Sequence, residues 1–144
     1  MYDSIVVGTD GSASANEAVR HAASLAALAD AHLHVVMVTP GIPVIAAPDM
    51  MVAAAQWSDA ADAAAKQSLD DAAAIARELG AEVTPHQRGG DPADQLLDVC
   101  EETDADLLVV GNRGMHGARR FLLGSVSSRC AHHANTSVLV VQTT

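Results

Sequence analysis

Leu107-Leu108-Val109-Val110-Gly111-Asn112-Arg113-Gly114, followed after nine further residues by Gly124-Ser125, is the stretch that decides the architecture. Leu107 to Val110 is an apolar run without polar alternation, flanked by Asp106 and a glycine. Such a run reads as a strand buried on both faces, as in a parallel sheet. The glycines fall where that sheet hands the chain to a loop, and glycine lets a ligand approach the backbone closely. Gly124-Ser125-Val126-Ser127-Ser128-Arg129 reads as the start of a helix. Its free N–H groups and positive dipole end suit an anion such as phosphate.

Outward from this stretch, strand and helix signals alternate. Ile5 to Gly8 is a short buried strand. Ser12 to about Ala29 is a helix, with Ser14-Ala15-Asn16-Glu17 in the form of a capping box. Leu33 to Val38 is a second strand, ended by Thr39-Pro40-Gly41-Ile42-Pro43. Ala60 to Leu79 is a long alanine-rich helix whose start lies as early as Asp49, and Gly80 stops it. Ala81 to Gln87 is a third strand and Arg88-Gly89-Gly90 a turn. Asp91 at N-cap and Pro92 at N1 open a helix that runs to about Thr103. Ser125 to His133 is the last helix and Val138 to Val141 the last strand. This alternation predicts one domain, residues 1–144, built as a parallel, doubly wound α/β sheet with right-handed crossovers.

Charge is distributed unevenly. The formal net charge is −10 and the sequence pI about 4.8. All 18 acidic residues precede Gly111, while Arg113, Arg119, Arg120 and Arg129 follow it with no acid among them. A basic island that coincides with the glycines suits a small anionic ligand. The acidic remainder argues against nucleic acid, which requires broad phosphate neutralisation. No apolar run reaches the ~18 residues of a membrane span, and Met1-Tyr2-Asp3-Ser4 lacks the positive start of a signal peptide. Cys100 and Cys130 are too few and too far apart for a metal or redox motif. Reduced thiols and a cytoplasmic location are the expectation.

The pattern G-x2-G-x9-G-[ST] after a strand ending in Val109-Val110 resembles that of the nucleotide-binding universal stress proteins. Ile5-Val6-Val7-Gly8-Thr9-Asp10-Gly11-Ser12 is similar to that family's first strand and acidic turn. Leu122-Leu123-Gly124-Ser125-Val126-Ser127 and Ser137-Val138-Leu139-Val140-Val141 are similar to its later landmarks. The resemblance spans the chain apart from about residues 41–66.

That resemblance implies a five-stranded parallel sheet in the order 3-2-1-4-5 with helices on both faces, a Rossmann-like fold of the adenine nucleotide alpha hydrolase type. It implies ATP, with Mg2+ accompanying the phosphates, in the crevice between strands one and four, where such sheets bind ligands. By resemblance Asp10 contacts the ribose hydroxyls and the Val38 backbone meets the adenine edge. Gly111, Arg113, Gly114, Gly124, Ser125, Val126 and Ser127 wrap the ribose and phosphates, with Thr9 and Asn112 completing the set. Arg113 stands where the family commonly has His or Arg, so charge complementarity is kept. Two plainer roles stay open: Asp10 as a turn or capping aspartate, and Ser125 or Ser127 as helix caps.

Relatives with Val-Val-Gly-Asn at this strand end and a closing Thr-Thr look similar to cyclic-nucleotide-binding members, so AMP and cyclic AMP are alternatives to ATP. The resemblance implies a stress-response regulator, or a dimeric scaffold for which nucleotide serves only folding. The final strand would be an apolar edge, and antiparallel pairing of two Val138–Val141 edges would make a homodimer. No G-x4-G-K-[ST] occurs, the only lysine is Lys66, and no Ser-His-Asp or Cys-His arrangement has sequence support. No catalytic residue is assigned; slow ATP hydrolysis is the most the resemblance allows. A flavin module is disfavoured by a single Trp, Tyr and Phe. His32 and His34 share a strand face, but no Cys or further His lies nearby in sequence, so a surface or interface role is expected rather than metal. Asp59, Asp62, Asp70 and Asp71 read as a solvated helix face.

Overall fold

The computed structural model describes residues 1–40, 48–112 and 123–143, with the backbone alone for residues 48 and 49. In chain order the elements are β1 (Ser4–Thr9), α1 (Ala13–Ala29), β2 (His32–Thr39), α2 (Pro48–Glu78), β3 (Glu82–Gly89), α3 (Pro92–Glu102), β4 (Leu107–Gly111), α4 (Ser125–His133) and β5 (Ser137–Val141). All five strands are parallel, in the order β3-β2-β1-β4-β5. This is the expected topology, and it puts β1 between β2 and β4.

Strand side chains alternate between faces, and both faces are covered, which is why the strands read as continuous apolar runs. Ile5, Val7, Leu33, Val35, Leu107 and Val109 pack against the alanine faces of α1 and α2. Val6, Val36, Leu108 and Val110 pack against Ala93, Leu96, Val99, Cys100 and Cys130 on the other side. Burial pushes the Cys100 thiol up to about 12 and Cys130 up to about 11. Both therefore stay protonated and act as small core residues, not nucleophiles.

Three local expectations are corrected. The cap of α1 is Ser12, not Ser14: its side chain accepts from the Ala15 N–H at 3.1 Å. The turn before it leaves Ser12 extended, with φ −73° and ψ 161°, as an N-cap requires, while Ser14 and Glu17 already lie inside the helix. The long helix begins at Pro48, beyond the earliest start expected for it. Arg88 and Gly89 belong to β3, paired with Val38 and Thr39, and the chain turns at Gly90 with φ +125°. An edge strand tolerates this composition, including Pro85. The cap at Asp91 is as predicted, with its carboxylate 3.0 Å from the Asp94 N–H.

His32 and His34 are half-buried members of a cross-strand network rather than plain surface residues. The β2–β3 register brings His86 and Thr84 beside them. His34 Nδ1 lies 2.9 Å from His86 Nε2, and His32 Nε2 lies 2.6 Å from the Thr84 hydroxyl. Among the described residues, no group of three or more His, Cys, Asp or Glu is placed to hold a metal ion. Burial, helped by the neighbouring His32 and His86, pushes His34 down from 6.5 to about 4. Burial and Arg88 lower His86, against the opposing Glu102.

Stability should therefore depend on pH. The unfolded chain takes up protons near pH 6.5 that the folded His34 and His86 refuse, so this contribution is complete above that pH. It is lost as the pH falls toward about 4. The urea midpoint should drop between about pH 7 and pH 5, and His34→Gln should flatten the dependence. Equal pH profiles for parent and variant would show that the cluster titrates as free histidine does.

Candidate functional site

At the carboxyl end of the sheet, where β1 and β4 part, a crevice of about 620 Å³ opens. That volume suits a small molecule. Its floor is formed by Gly8, Thr9, Val38, Val110 and Gly111 at the strand ends. Ala64, Ala65 and Ser68 of α2 form one wall, and Pro92 and Leu96 of α3 with Gly124 to Ser127 form the other. The walls are mostly aliphatic, and Asp10 is the one charged side chain among the described lining residues.

A chain of short hydrogen bonds sets the turn after β1. The Thr9 hydroxyl accepts from the Gly11 N–H at 3.2 Å and Asp10 Oδ1 accepts from the Ser12 N–H at 2.9 Å. Gly11 has φ +82°, a conformation that favours glycine, and a Cβ there would also crowd Ser68, at 3.0 Å from its Oγ. Asp10 thus adopts the turn geometry that was one of its two open roles. A carboxylate has several acceptor positions, so this single bond leaves capacity for ligand hydroxyls. Gly8 packs closely as well: a Cβ there would lie 2.9 Å from Leu96 Cδ1, so a larger residue would have to displace the Leu96 side chain.

On the opposite side, Gly124 is the N-cap of α4 and no side chain caps it. Ser125 is therefore the first helical residue, not a cap. Ser127, 1% exposed, donates its hydroxyl hydrogen to the Gly124 carbonyl at 3.0 Å. The N–H groups of the first turn face the crevice end of the helix with the positive dipole behind them, an arrangement that suits an anion.

Of the residues expected to bind, Thr9, Asp10, Val38, Gly111, Gly124, Ser125, Val126 and Ser127 all line this one crevice. Asn112 does not. Its side-chain oxygen accepts from the Thr143 N–H at 3.0 Å and the Thr143 hydroxyl at 2.8 Å. Its main chain donates to the Val141 carbonyl and accepts from the Gly124 N–H at 3.0 Å. Asn112 thereby ties the base of the glycine loop to β5. Arg113 and Gly114, with Arg119 and Arg120 of the basic island, lie outside the described residues. Arg129 leaves that island, because it pairs with Asp91 at 2.7 Å and Asp94 at 2.9 Å. The Asp94 N–H and Arg129 together hold the Asp91 carboxyl below the usual range.

The model of the universal stress protein family matches residues 1–142. This chain belongs to that family. A universal stress protein of Mycobacterium tuberculosis is 37% identical over 99% of this chain and 98% of its own length. A universal stress protein solved in complex with cAMP is 33% identical, with a TM-score of 0.73 over 99% of this chain and 98% of that one. The Archaeoglobus fulgidus universal stress protein, solved in complex with dAMP, is 28% identical, with a TM-score of 0.70 over 98% of each chain.

The α2 wall of this universal stress protein was missed in the sequence. Ala64, Ala65 and Ser68 sit in an alanine-rich helix where small residues recur on every face, so periodicity gives no inward direction. Leu96 and Pro92 were read as helix residues only. The one available signal for the wall was Ser68, a hydroxyl spaced four residues from both Ala64 and Ala72.

Proposed function

We propose that this universal stress protein binds an adenine nucleotide in the crevice at the β1–β4 switch point and acts as a regulator in the stress response. The observation that carries this reading is that Asp10 and the N-terminus of α4, which no side chain caps, line the same crevice. In this reading the carboxylate accepts from ribose hydroxyls and the N–H groups of the helix start donate to a phosphate, within one largely apolar slot. Val38 and Met37 offer aliphatic walls to a purine, with the Val38 backbone at its edge. Gly111, Gly124, Ser125, Val126 and Ser127 surround the ribose and phosphates in this reading. Arg113 and Gly114 join them by family resemblance.

ATP is the ligand that the family wording favours. Mg2+ would arrive on its phosphates, since Asp10 is the sole carboxylate among the described lining residues. AMP or cyclic AMP is the second reading, supported by the relatives solved with cAMP and dAMP, both monophosphates. Calorimetric titration of nucleotide-stripped protein with ATP, ADP, AMP and cyclic AMP, with and without magnesium, separates the two. Tightest binding of ATP supports the polyphosphate site, and preference for AMP or cyclic AMP makes the protein an energy or second-messenger sensor. Folded protein that binds none of them would sink the nucleotide reading.

A homodimer through β5 is part of the proposal. β5 is an edge of the sheet, with Val138, Leu139 and Val140 half-buried, and an exposed apolar edge favours pairing. Leu139→Lys should sediment as a monomer with native circular dichroism. A folded variant that remains dimeric would place the contact on another surface.

A further inference from the structure

The inward stripe of α2 is formed by Ala65, Leu69, Ala72 and Ala76, all buried against the sheet. Ser68 interrupts it at the crevice, half-buried, with no hydrogen-bond partner among the described residues. A hydroxyl in an aliphatic wall forgoes hydrogen bonding unless water or a ligand supplies it. The wall there is close to the β1 turn: the missing Cβ of Gly11 would lie 3.0 Å from Ser68 Oγ and 3.1 Å from Ser68 Cβ. Gly11 directly follows Asp10, and both Ser68 and Asp10 line the crevice.

We propose that Ser68 is a sugar-reading residue, which together with Asp10 forms a two-sided clamp on the ribose hydroxyl edge and makes the crevice selective for ribonucleotides over deoxyribonucleotides. The inference rests on the nucleotide reading above and on Asp10 marking the ribose end. A serine hydroxyl both donates and accepts, so it can share a hydroxyl with a carboxylate that only accepts. A ligand lacking that hydroxyl leaves Ser68 facing aliphatic carbon, which is how a polar pocket group discriminates.

The test is binding of AMP, 2′-deoxy-AMP and 3′-deoxy-AMP to the parent and to Ser68→Ala. Alanine is a better helix former than serine, so the variant should melt no lower than the parent. The parent should favour AMP over at least one deoxy analogue. Ser68→Ala should weaken AMP by about three- to tenfold, leave that analogue unchanged, and so close the gap between them. A parent that binds AMP, paired with a variant whose AMP-to-deoxy ratios equal the parent's, overturns the clamp and leaves the nucleotide site standing. A parent that binds none of the three overturns both.

Discussion

Asp10→Ala is expected to weaken nucleotide binding by about 10- to 100-fold while the fold survives. A carboxylate that accepts from neutral hydroxyls contributes about 1.5–3 kcal/mol, and 1.4 kcal/mol is a factor of ten. The structural cost is smaller. Asp10 is exposed, and the bond it gives up is the one from the Ser12 N–H at 2.9 Å. That N–H can turn to water, and the Ser12 cap on α1 does not depend on it. Calorimetry with ATP and AMP reads the first effect and thermal melting the second. Unchanged affinity in a folded variant would leave Asp10 as a turn residue only. Asp10→Asn keeps an acceptor for the Ser12 N–H and isolates the contribution of the charge.

Leu33→Ala should remove about 3–4 kcal/mol of stability, enough to lower the melting temperature by about 10 °C in a domain of this size. Leu33 is 0% exposed in β2, pairs with Ile5 and Val83, and packs in the α1–α2 layer. Its surroundings explain the size of the loss. The helices offer Ala18, Ala22, Ala72 and Ala76 to this layer. Alanines have no rotamer with which to fill a vacated volume, so the cavity persists. Leu28→Ala is the control: Leu28 is 86% exposed, and its loss should change stability by less than about 0.5 kcal/mol. Urea unfolding measures both, and a Leu33→Ala cost near that of Leu28→Ala would mean that the layer collapses around the gap.

The fold was legible because its signals are local. Leu107 to Val110 and Ile5 to Val7 lack polar alternation, which two-sided burial requires, and Asp91-Pro92 and Gly80 mark helix ends by the chemistry of caps. Strand order was a different matter. Nothing in composition or spacing says that β1 lies between β2 and β4, and the order came from family likeness. The crevice lining was legible on the strand-end side, where Thr9, Asp10, Gly111 and Gly124 carry turn and close-approach signatures. The α2 wall was not, because an alanine-rich helix has no distinct apolar face. Pairings across the sheet were equally invisible: His86 stands 52 residues from His34 and meets it only through the β2–β3 register. The destination of Arg129 was hidden for the same reason, since its partners Asp91 and Asp94 belong to another helix.

Asn112 has a practical consequence. Thr143 is fastened to the Asn112 side chain, while the main-chain carbonyl of the same residue accepts from the Gly124 N–H at the crevice. Whatever is joined beyond Thr143 pulls on the crevice through the Asn112 side chain. Met1 sits at the other end of the sheet, fully exposed, where Asp3 is anchored by Asp106. A fluorescent reporter or affinity handle placed ahead of Met1 should leave ligand affinity as it is, whereas the same cargo after Thr143 loads the Asn112–Gly124 contact beside the crevice.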